Sequence, residues 1–375
     1  MTKLRLGVDA RAFSSPAGGV RRYAWELYGA IARIDPAVEI IALGAAAGTR
    51  LPERVTPRPA IAAPTNLGWM AVSIPLAARA AALDVYHAPA YTAPLWGVHP
   101  QVLTVHDVSY ERRPEWNAYK NDRMRRWFYR ASALGADRIV TDSSFSRQEI
   151  IAAYGIPAAH IHVVPLAASE RFTPGPCDPS ALPSAVRRPY ALHVGDLHVR
   201  RNLTTALAAV LALRRDDPRC ADLTLVCAGI DRGTGPALRA QAQAARDPSA
   251  LVLTGPVEED ALLNLYRGAL LLAYPSRYEG FGLPVLEAMR CGVPVVGANG
   301  SSIPELVGEA ALLVADLDID AWRDAIRRVV TDPATASALH AASLARAAQF
   351  SWTRTATDTL AVFREAAGRH TGRAA

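Results

Sequence analysis

The sequence predicts an α/β protein built from two doubly wound parallel-sheet domains, and three observations carry that expectation. The chain has 375 residues, half of them hydrophobic and 20% charged, which is more than one ordinary core needs and a normal globular balance. Short apolar β-type runs alternate with helical patterns along most of its length, the signature of βαβ units. Between Arg171 and Pro189, five prolines (Pro174, Pro176, Pro179, Pro183, Pro189) interrupt regular structure and divide the alternation into two series.

The first series reads as strands at Leu4–Val8, Glu39–Leu43, Val85–His87, Val102–Val105 and Arg138–Thr141, with helices such as 19–34 and 119–134 between them. The second reads as strands at Tyr190–Val194, Leu223–Ala228, Leu251–Thr254, Leu270–Tyr274, Pro294–Ala298 and Ala311–Val314. The expected domains are therefore 1–170 and 190–350, joined by a linker at 171–189. Ser351 is placed to cap a last helix from Trp352 to Ala367. No internal repeat at solenoid periods is present.

A formal charge of +6 and a pI near 9.3 point to acidic partners: phosphates, an anionic membrane surface or nucleic acid. The basic residues are dispersed, with no zinc-finger spacing, RRM signature or long Lys/Arg block, so no nucleic acid is expected and phosphate on a small ligand fits better. Cys177, Cys220, Cys227 and Cys291 form no C-x-x-C pair, which implies neither a metal nor a disulfide. The opening Met-Thr-Lys-Leu-Arg-Leu-Gly-Val-Asp reads as a first buried strand and not as a signal peptide, so reduced thiols and a cytoplasmic location are expected. No apolar run reaches the roughly 18 residues of a spanning helix, so any membrane contact is expected to be peripheral, at the inner face.

The most informative run is Tyr274-Pro-Ser-Arg-Tyr-Glu279-Gly280-Phe281-Gly282-Leu283-Pro284-Val-Leu-Glu287, which sets two carboxylates eight apart around a glycine-rich turn. Pro284 fits the first position of a helix, which leaves Glu279 on the loop and Glu287 in the first turn. Gly280 and Gly282 let backbone approach a ligand, and free amides at the helix start favour an anion. The two carboxylates accept hydroxyl hydrogen bonds, as a nucleotide-sugar would offer. A plain amphipathic helix start also accounts for Leu283, Val285, Leu286 and Met289, but not for the order of the glycines and Glu279 before it.

A second motif, Gly195-Asp-Leu-His-Val-Arg200-Arg201-Asn202, is a strand end, a glycine turn and paired cations before a helix, suited to balance a departing diphosphate. Gly18-Gly19 closes the loop after the first strand, where it serves either a tight turn or phosphate-facing amides. His106, in Thr104-Val-His-Asp107, ends a strand where ligands gather in open α/β sheets, though a lone His is also commonly structural. In Asp142-Ser-Ser144-Phe-Ser-Arg147, Ser144 is a candidate helix cap. Asp316-Leu-Asp318-Ile-Asp320 has the look of a metal motif, but Asp318 or Asp320 serves well as the cap of the following helix. Between Lys120 and Leu134, Met124, Trp127, Phe128 and Ala131 share a face amid Arg123, Arg125, Arg126 and Arg130, which suits an anionic lipid surface or a solvated basic face over a core stripe.

Together these motifs resemble glycosyltransferase family 4, in particular bacterial surface-polysaccharide mannosyltransferases, over nearly the full chain. That resemblance implies the GT-B fold, two Rossmann-like doubly wound domains facing across a cleft, with the first binding acceptor and the tail 351–375 packing back on it. It implies that Glu279 contacts donor-sugar hydroxyls, that the amides of Gly280-Phe281-Gly282-Leu283 line sugar and phosphate, and that Glu287 holds the ribose. Arg200 and Arg201 would stabilise the leaving diphosphate; the family has lysine where Arg201 stands, so the charge is kept while the geometry changes. Gly18, Gly19 and Gly195 would touch the diphosphate, His106 the sugar's outer hydroxyls, and backbone near Gly229 and Gly255 to Val257 the base. Asp142 to Arg147 matches the family's Ser-x-x-Ser-(Arg/Lys) turn.

The implied activity is retaining transfer of a sugar, mannose from GDP-mannose foremost, to a glycan or lipid-linked glycan acceptor in O-antigen or capsule synthesis. The departing phosphate oxygen would take the acceptor proton, with no metal and no cofactor beyond the donor itself. A UDP-sugar donor, another GT-B enzyme such as an epimerase or phosphorylase, and a non-catalytic subunit of a polysaccharide assembly complex are the alternatives.

Overall fold

The computed structural model describes residues 3–15, 18–46, 48–116 and 122–371. The chain divides into two compact units, residues 1–167 with 351–375 and residues 168–350. In the first unit the order is β1 (Leu4–Asp9), α1 (Gly18–Ile34), β2 (Val38–Leu43), β3 (Val55–Arg58), α2 (Asn66–Gly68), α3 (Ile74–Ala81), β4 (Val85–Ala88) and β5 (Gln101–Thr104). It continues through α4 (Ser109–Arg112), α5 (Arg123–Gly135), β6 (Arg138–Thr141), α6 (Ser144–Tyr154) and β7 (Ile161–Val163). The second unit runs β8 (Tyr190–Val194), α7 (Leu203–Asp216), β9 (Thr224–Ala228), α8 (Gly235–Ala244), β10 (Leu251–Gly255), α9 (Glu259–Gly268) and β11 (Leu271–Tyr274). It ends with α10 (Leu283–Arg290), β12 (Val295–Ala298), α11 (Ile303–Val307), β13 (Leu312–Val314), α12 (Ile319–Thr331) and α13 (Pro333–Ala347), and α14 (Trp352–Thr371) follows.

Each unit carries one sheet, β3-β2-β1-β4-β5-β6-β7 in the first and β10-β9-β8-β11-β12-β13 in the second. The strand pairs are all parallel, for instance Leu6 opposite Ile40 and Tyr190 opposite Thr224. Helices cover both faces, so the central strands read as apolar runs instead of alternating. Strand order reverses between β1 and β4 and again between β8 and β11. Ligands of open parallel sheets bind beyond the strand ends at such reversals.

Two strands escape the sequence pattern. β3 carries Pro57 and exposes Thr56, and β7 spans only Ile161–Val163; both are sheet edges, where pairing on one side suffices and a proline is tolerated. The helix expected at 119–134 is observed as α5, and residues 119–121 of that expectation lie outside the described ones.

The expected linker is packed structure. Phe172 meets Tyr266 edge-on at 5.5 Å, Asp178 N donates to Asn264 Oδ1 (3.0 Å), and Arg267 Nε donates to the Thr173 carbonyl (3.0 Å), so 171–189 belongs to the second unit. The α14 helix belongs to the first. Its Trp352 packs on Tyr23 of α1, Thr355 Oγ1 donates to the Pro165 carbonyl (2.7 Å), and Glu365 pairs with buried Arg138 (3.0 Å). Ser351 Oγ caps it, accepting from Arg354 N at 3.2 Å.

In the second unit one glycine sets how closely the loops after β8 and β9 approach. Gly229 has φ 154°, and a Cβ there would stand 2.1 Å from the Gly195 carbonyl oxygen. That contact is with backbone and has no side-chain escape. Gly229→Ala should lower unfolding free energy by about 2–4 kcal/mol in denaturant titration. Gly19→Ala, whose Cβ meets nothing within 4 Å inside a helix, should be neutral or raise it by up to about 1 kcal/mol. Equal effects of the two would refute this reading of the backbone.

Candidate active site

The ends of β8 and β11 bring the expected charges of the second unit together. After β8, Gly195 leads into a 3-10 turn, Val199–Arg201, and Asn202 enters α7 through the left-handed region at φ 51°. The turn is fixed from several sides: Arg277 N donates to the Arg200 carbonyl (2.9 Å), and Asn202 Nδ2 donates to the Asp316 carbonyl (2.5 Å). Thr205 Oγ1 donates to Asn202 Oδ1 (2.9 Å). After β11, the loop from Tyr274 to Gly282 carries Glu279 back over this turn.

Glu279 is 6% exposed and clasped by both arginines. Arg201 Nη1 pairs with Oε1, Arg200 Nη1 lies 3.3 Å from Oε2, and Ser276 Oγ donates to Oε1. Arg200 Nη1 also donates to the Tyr278 carbonyl at 2.5 Å. Arg201 is 8% exposed, donates to the Tyr274 hydroxyl at 2.6 Å and stands 5.5 Å above that ring. Burial pushes the Arg201 guanidinium below its ordinary pKa, and neighbouring Arg200 adds to the shift. Behind Tyr274 stacks His193, whose pKa falls to about 3 through burial and then through Arg201, so it is neutral and donates Nδ1–H to the Ala273 carbonyl (3.2 Å).

Gly282 makes the turn into α10 possible. It adopts φ 110°, and a Cβ there would press on Ile303 Cδ1 at 2.9 Å. Ser302 Oγ holds the same loop through the carbonyls of Glu279 (3.0 Å) and Phe281 (2.9 Å). The helix starts at Leu283, which corrects two expectations: Pro284 is its second residue, and Glu287 falls in the second turn, where the helix dipole does not account for it. Glu287 is 2% exposed, and its Oε2 accepts from the Tyr266 hydroxyl of α9 at 2.8 Å. Gly195 is against Arg201, while Val257 lies in the loop after β10 beyond Gly255, whose carbonyl accepts from Gly229 N (2.9 Å).

In the first unit Gly18 and Gly19 form the start of α1 with helical backbone, and a Cβ on either meets open space. Neither a left-handed turn nor packing among the described residues demands glycine there. Tyr23, on the same helix, packs edge-on against His106 at 4.9 Å. His106 Nδ1 donates to Asp142 Oδ2 (2.8 Å). Beside α1 a cavity of about 330 Å³ opens at the ends of β1 and β4, lined by Asp9, Arg11, Val20, Pro89 and Thr92 among others. Arg11 is preorganised there: Asp9 holds its Nη2 (2.6 Å), Asn66 its Nη1 (2.9 Å), and Trp69 lies 4.8 Å beneath it.

Three further expectations are settled by geometry. Ser143, not Ser144, caps α6, accepting from Ser146 N at 3.0 Å. Asp318 caps α12 through Ala321 N at 2.9 Å. On α5, Phe128 is buried and Trp127 is 52% exposed, so these two do not share a face. Sequence reasoning did not single out Tyr274, Ser276, Ser302 or His193, and it named Asp142 only as the start of the turn to Arg147, not as the partner of His106. Tyr274 and Ser276 lie within the very run that named Glu279, and only the fold reveals their work.

The His106–Asp142 pair has a defined acid–base signature. Burial alone lowers the His106 pKa, but the Asp142 carboxylate, with Asp107 assisting, outweighs it and the net shift is upward. Asp142 is itself raised, first by burial. The raised His106 pKa keeps this pairing charged through about 6.5 and loses it as pH rises through the elevated value, whereas the raised Asp142 pKa limits it at the acid end, where the carboxylate takes up a proton. In an NMR titration the His106 ring should titrate above about 6.5, and in Asp142→Asn below it, because burial, the largest influence, is then opposed only by Asp107 and the Pro89 backbone. An unchanged midpoint in the variant would contradict the assignment.

Residues 188–332 match the family described as Glycosyl transferases group 1, and residues 17–169 match Glycosyltransferase Family 4. Over 284 residues the chain is 33% identical to the O-antigen chain mannosyltransferase B of Escherichia coli, covering 75% of this chain and 74% of that protein. Among solved structures, sucrose-phosphate synthase from Thermosynechococcus elongatus superposes with a TM-score of 0.76 at 20% identity, over 96% of this chain and 98% of that one. Anabaena Alr3699/HepE, solved in complex with UDP and glucose, superposes with a TM-score of 0.71 at 19% identity, over 97% and 100%. The two parallel-sheet units are those of the GT-B fold, and the chain is a glycosyltransferase that belongs to family 4.

Proposed function

We propose that this glycosyltransferase transfers mannose from GDP-mannose, with retention of configuration, to a glycan or lipid-linked glycan acceptor in bacterial surface-polysaccharide synthesis. The observation that carries the proposal is the cluster of Arg200, Arg201 and Glu279 beyond β8 and β11, two cations and one carboxylate where open sheets bind ligands. In this reading the guanidiniums leave Glu279 for the diphosphate as charge develops on it, and the freed carboxylate accepts donor-sugar hydroxyls. Glu287, already oriented by Tyr266, takes the ribose hydroxyls. Amides of Phe281, Gly282 and Leu283 at the start of α10 face sugar and phosphate, and Gly195 gives close backbone approach. Gly18, Gly19 and His106 of the first unit act on phosphate and sugar, and the cavity beside Arg11 takes the acceptor. The leaving phosphate oxygen accepts the acceptor proton, so no side chain has to be the base.

The sugar rests on the mannosyltransferase named among the relatives. A UDP-sugar donor is the second reading, favoured by the UDP and glucose bound in Alr3699/HepE. Two guanidiniums supply the charge that a metal would otherwise give the leaving group, so no divalent cation is required.

Purified protein offered a panel of nucleoside diphosphate sugars should slowly hydrolyse GDP-mannose in preference to the others. Preference for a UDP-sugar would move the assignment to the second reading, and failure to bind or hydrolyse any donor would refute both. Chelator should leave the rate unchanged, whereas strict dependence on Mn²⁺ or Mg²⁺ would contradict the arginine-based account. Glu279→Gln should lower turnover at least about ten- to hundredfold, the loss of a charged hydrogen bond worth about 1.5–3 kcal/mol. Circular dichroism should remain that of a folded protein, and near-normal turnover would reduce Glu279 to a loop residue.

A further inference from the structure

The cavity at the ends of β1 and β4 is built around a cation whose charge is already balanced. Of the described residues that line it, Asp9 and Arg11 alone carry charge. Asp9 Oδ1 accepts from Arg11 Nε (3.1 Å) and from Arg11 N (3.0 Å). Its Oδ2 accepts from Nε (3.1 Å), from Nη2 (2.6 Å) and from the Trp69 indole N–H (3.3 Å). Arg11 Nη1 donates to Asn66 Oδ1 (2.9 Å).

A guanidinium carries a single N–H on Nε and two on each terminal nitrogen. These partners take the Nε–H and one N–H of each terminal nitrogen, so a spare donor remains on both Nη1 and Nη2. The Arg11 side chain is 39% exposed and that of Asp9 only 6%, which leaves the spare donors on the side a ligand can reach. Donors on neighbouring nitrogens match the oxygens of neighbouring hydroxyls on a sugar ring. A phosphate or carboxylate also matches that fork, but its attraction to Arg11 is offset by repulsion from Asp9 just behind.

The wall around this fork is set in advance. Tyr91 holds φ 54°, which bulky residues rarely adopt, and its N donates to the Thr104 carbonyl (3.1 Å), fixing Pro89 and Thr92 on either side. Ser14, Ser15 and Thr92 line the cavity with hydroxyls, and Ala12, Val20 and Pro89 with an apolar surface for the C–H face of a pyranose. At about 330 Å³ it sits at the lower end of small-ligand pockets, the scale of a sugar end and not of a polymer. The fully buried Tyr86 hydroxyl of β4 has no partner among the described residues, and both Asp9 and Arg11 act on its ionisation, so the surroundings of the pair hold an unmet polar group.

We propose that this cavity is a subsite for a neutral sugar whose neighbouring hydroxyls accept the two spare N–H groups of Arg11. The acceptor therefore ends in an uncharged residue and not in a phosphorylated sugar or a uronic acid. Asp9 is the residue that sets this preference, by compensating Arg11 in advance. That the bound sugar is the end of the acceptor rests on the proposed function; the subsite itself does not.

The test is an NMR titration of the full chain read at the indole N–H of Trp69, which lies beneath Arg11 and bonds Asp9. The probes are methyl α-mannoside, methyl α-glucoside and mannose 6-phosphate. In wild type a neutral glycoside should shift this signal along a saturating curve, with mannose 6-phosphate weaker by about tenfold or more. Arg11→Lys keeps a charge beside Asp9 but removes the fork, and should weaken neutral binding by about tenfold or more. Asp9→Asn leaves the guanidinium uncompensated and should turn the preference toward mannose 6-phosphate. No shift with either neutral glycoside, equal or tighter binding of mannose 6-phosphate by wild type, or unaltered neutral binding by folded Arg11→Lys would overturn the proposal. The readout needs no donor, so donor hydrolysis without a Trp69 response refutes the subsite alone, and a Trp69 response without donor hydrolysis refutes only the proposed function.

Discussion

The clasp of Arg200 and Arg201 on the Glu279 carboxylate is the interaction around which the second unit is arranged. Charges as buried as Glu279 and Arg201 are tolerable only as a pair with their remaining hydrogen bonds satisfied, and removing one partner of such a pair typically costs about 3–5 kcal/mol. The surrounding contacts meet most of that requirement, with Arg201 Nε left without a partner among the described residues. Ser276 and Ser302 fix the glutamate loop, Tyr274 receives the Arg201 guanidinium, and neutral His193 backs Tyr274 without adding another cation. Arg277 and Asn202 lock the arginine turn from the opposite side.

This arrangement changes how the two glutamates of the donor motif relate to each other. Eight residues apart in sequence, they look like a matched pair. In space they answer to different partners: Glu279 to two guanidiniums, Glu287 to one phenol on α9. In the proposed reading the first is a charge that can be exchanged for a diphosphate, and the second an acceptor of hydroxyl hydrogen bonds. The backbone between them is held by Gly282, whose conformation and crowding by Ile303 exclude a side chain.

Much of this was legible in the sequence, because parallel strands covered on both faces are apolar runs and glycines mark the loops beyond them. The strands containing Leu6, Leu192 and Leu272 announce themselves by composition, and Gly195, Arg200, Arg201 and Glu279 by their place just after such runs. What stayed hidden depends on long-range contact. The β3 and β7 edges need pairing on one side alone, so their sequences carry little signal. Residues 171–189 look like a linker because prolines break regular structure, yet Phe172 and Asp178 are held by α9. Helical spacing placed Trp127 and Phe128 on one face, although adjacent residues diverge by 100° around a helix and burial separates them.

In the proposed function the guanidiniums serve Glu279 and a phosphate in turn. Calorimetric titration of the nucleoside diphosphate product into wild type and Glu279→Gln tests this most directly. If the carboxylate competes for Arg200 and Arg201, neutralising it should tighten diphosphate binding by about tenfold or more while leaving affinity for the bare nucleoside unchanged. Equal or weaker diphosphate binding by the folded variant would contradict the exchange.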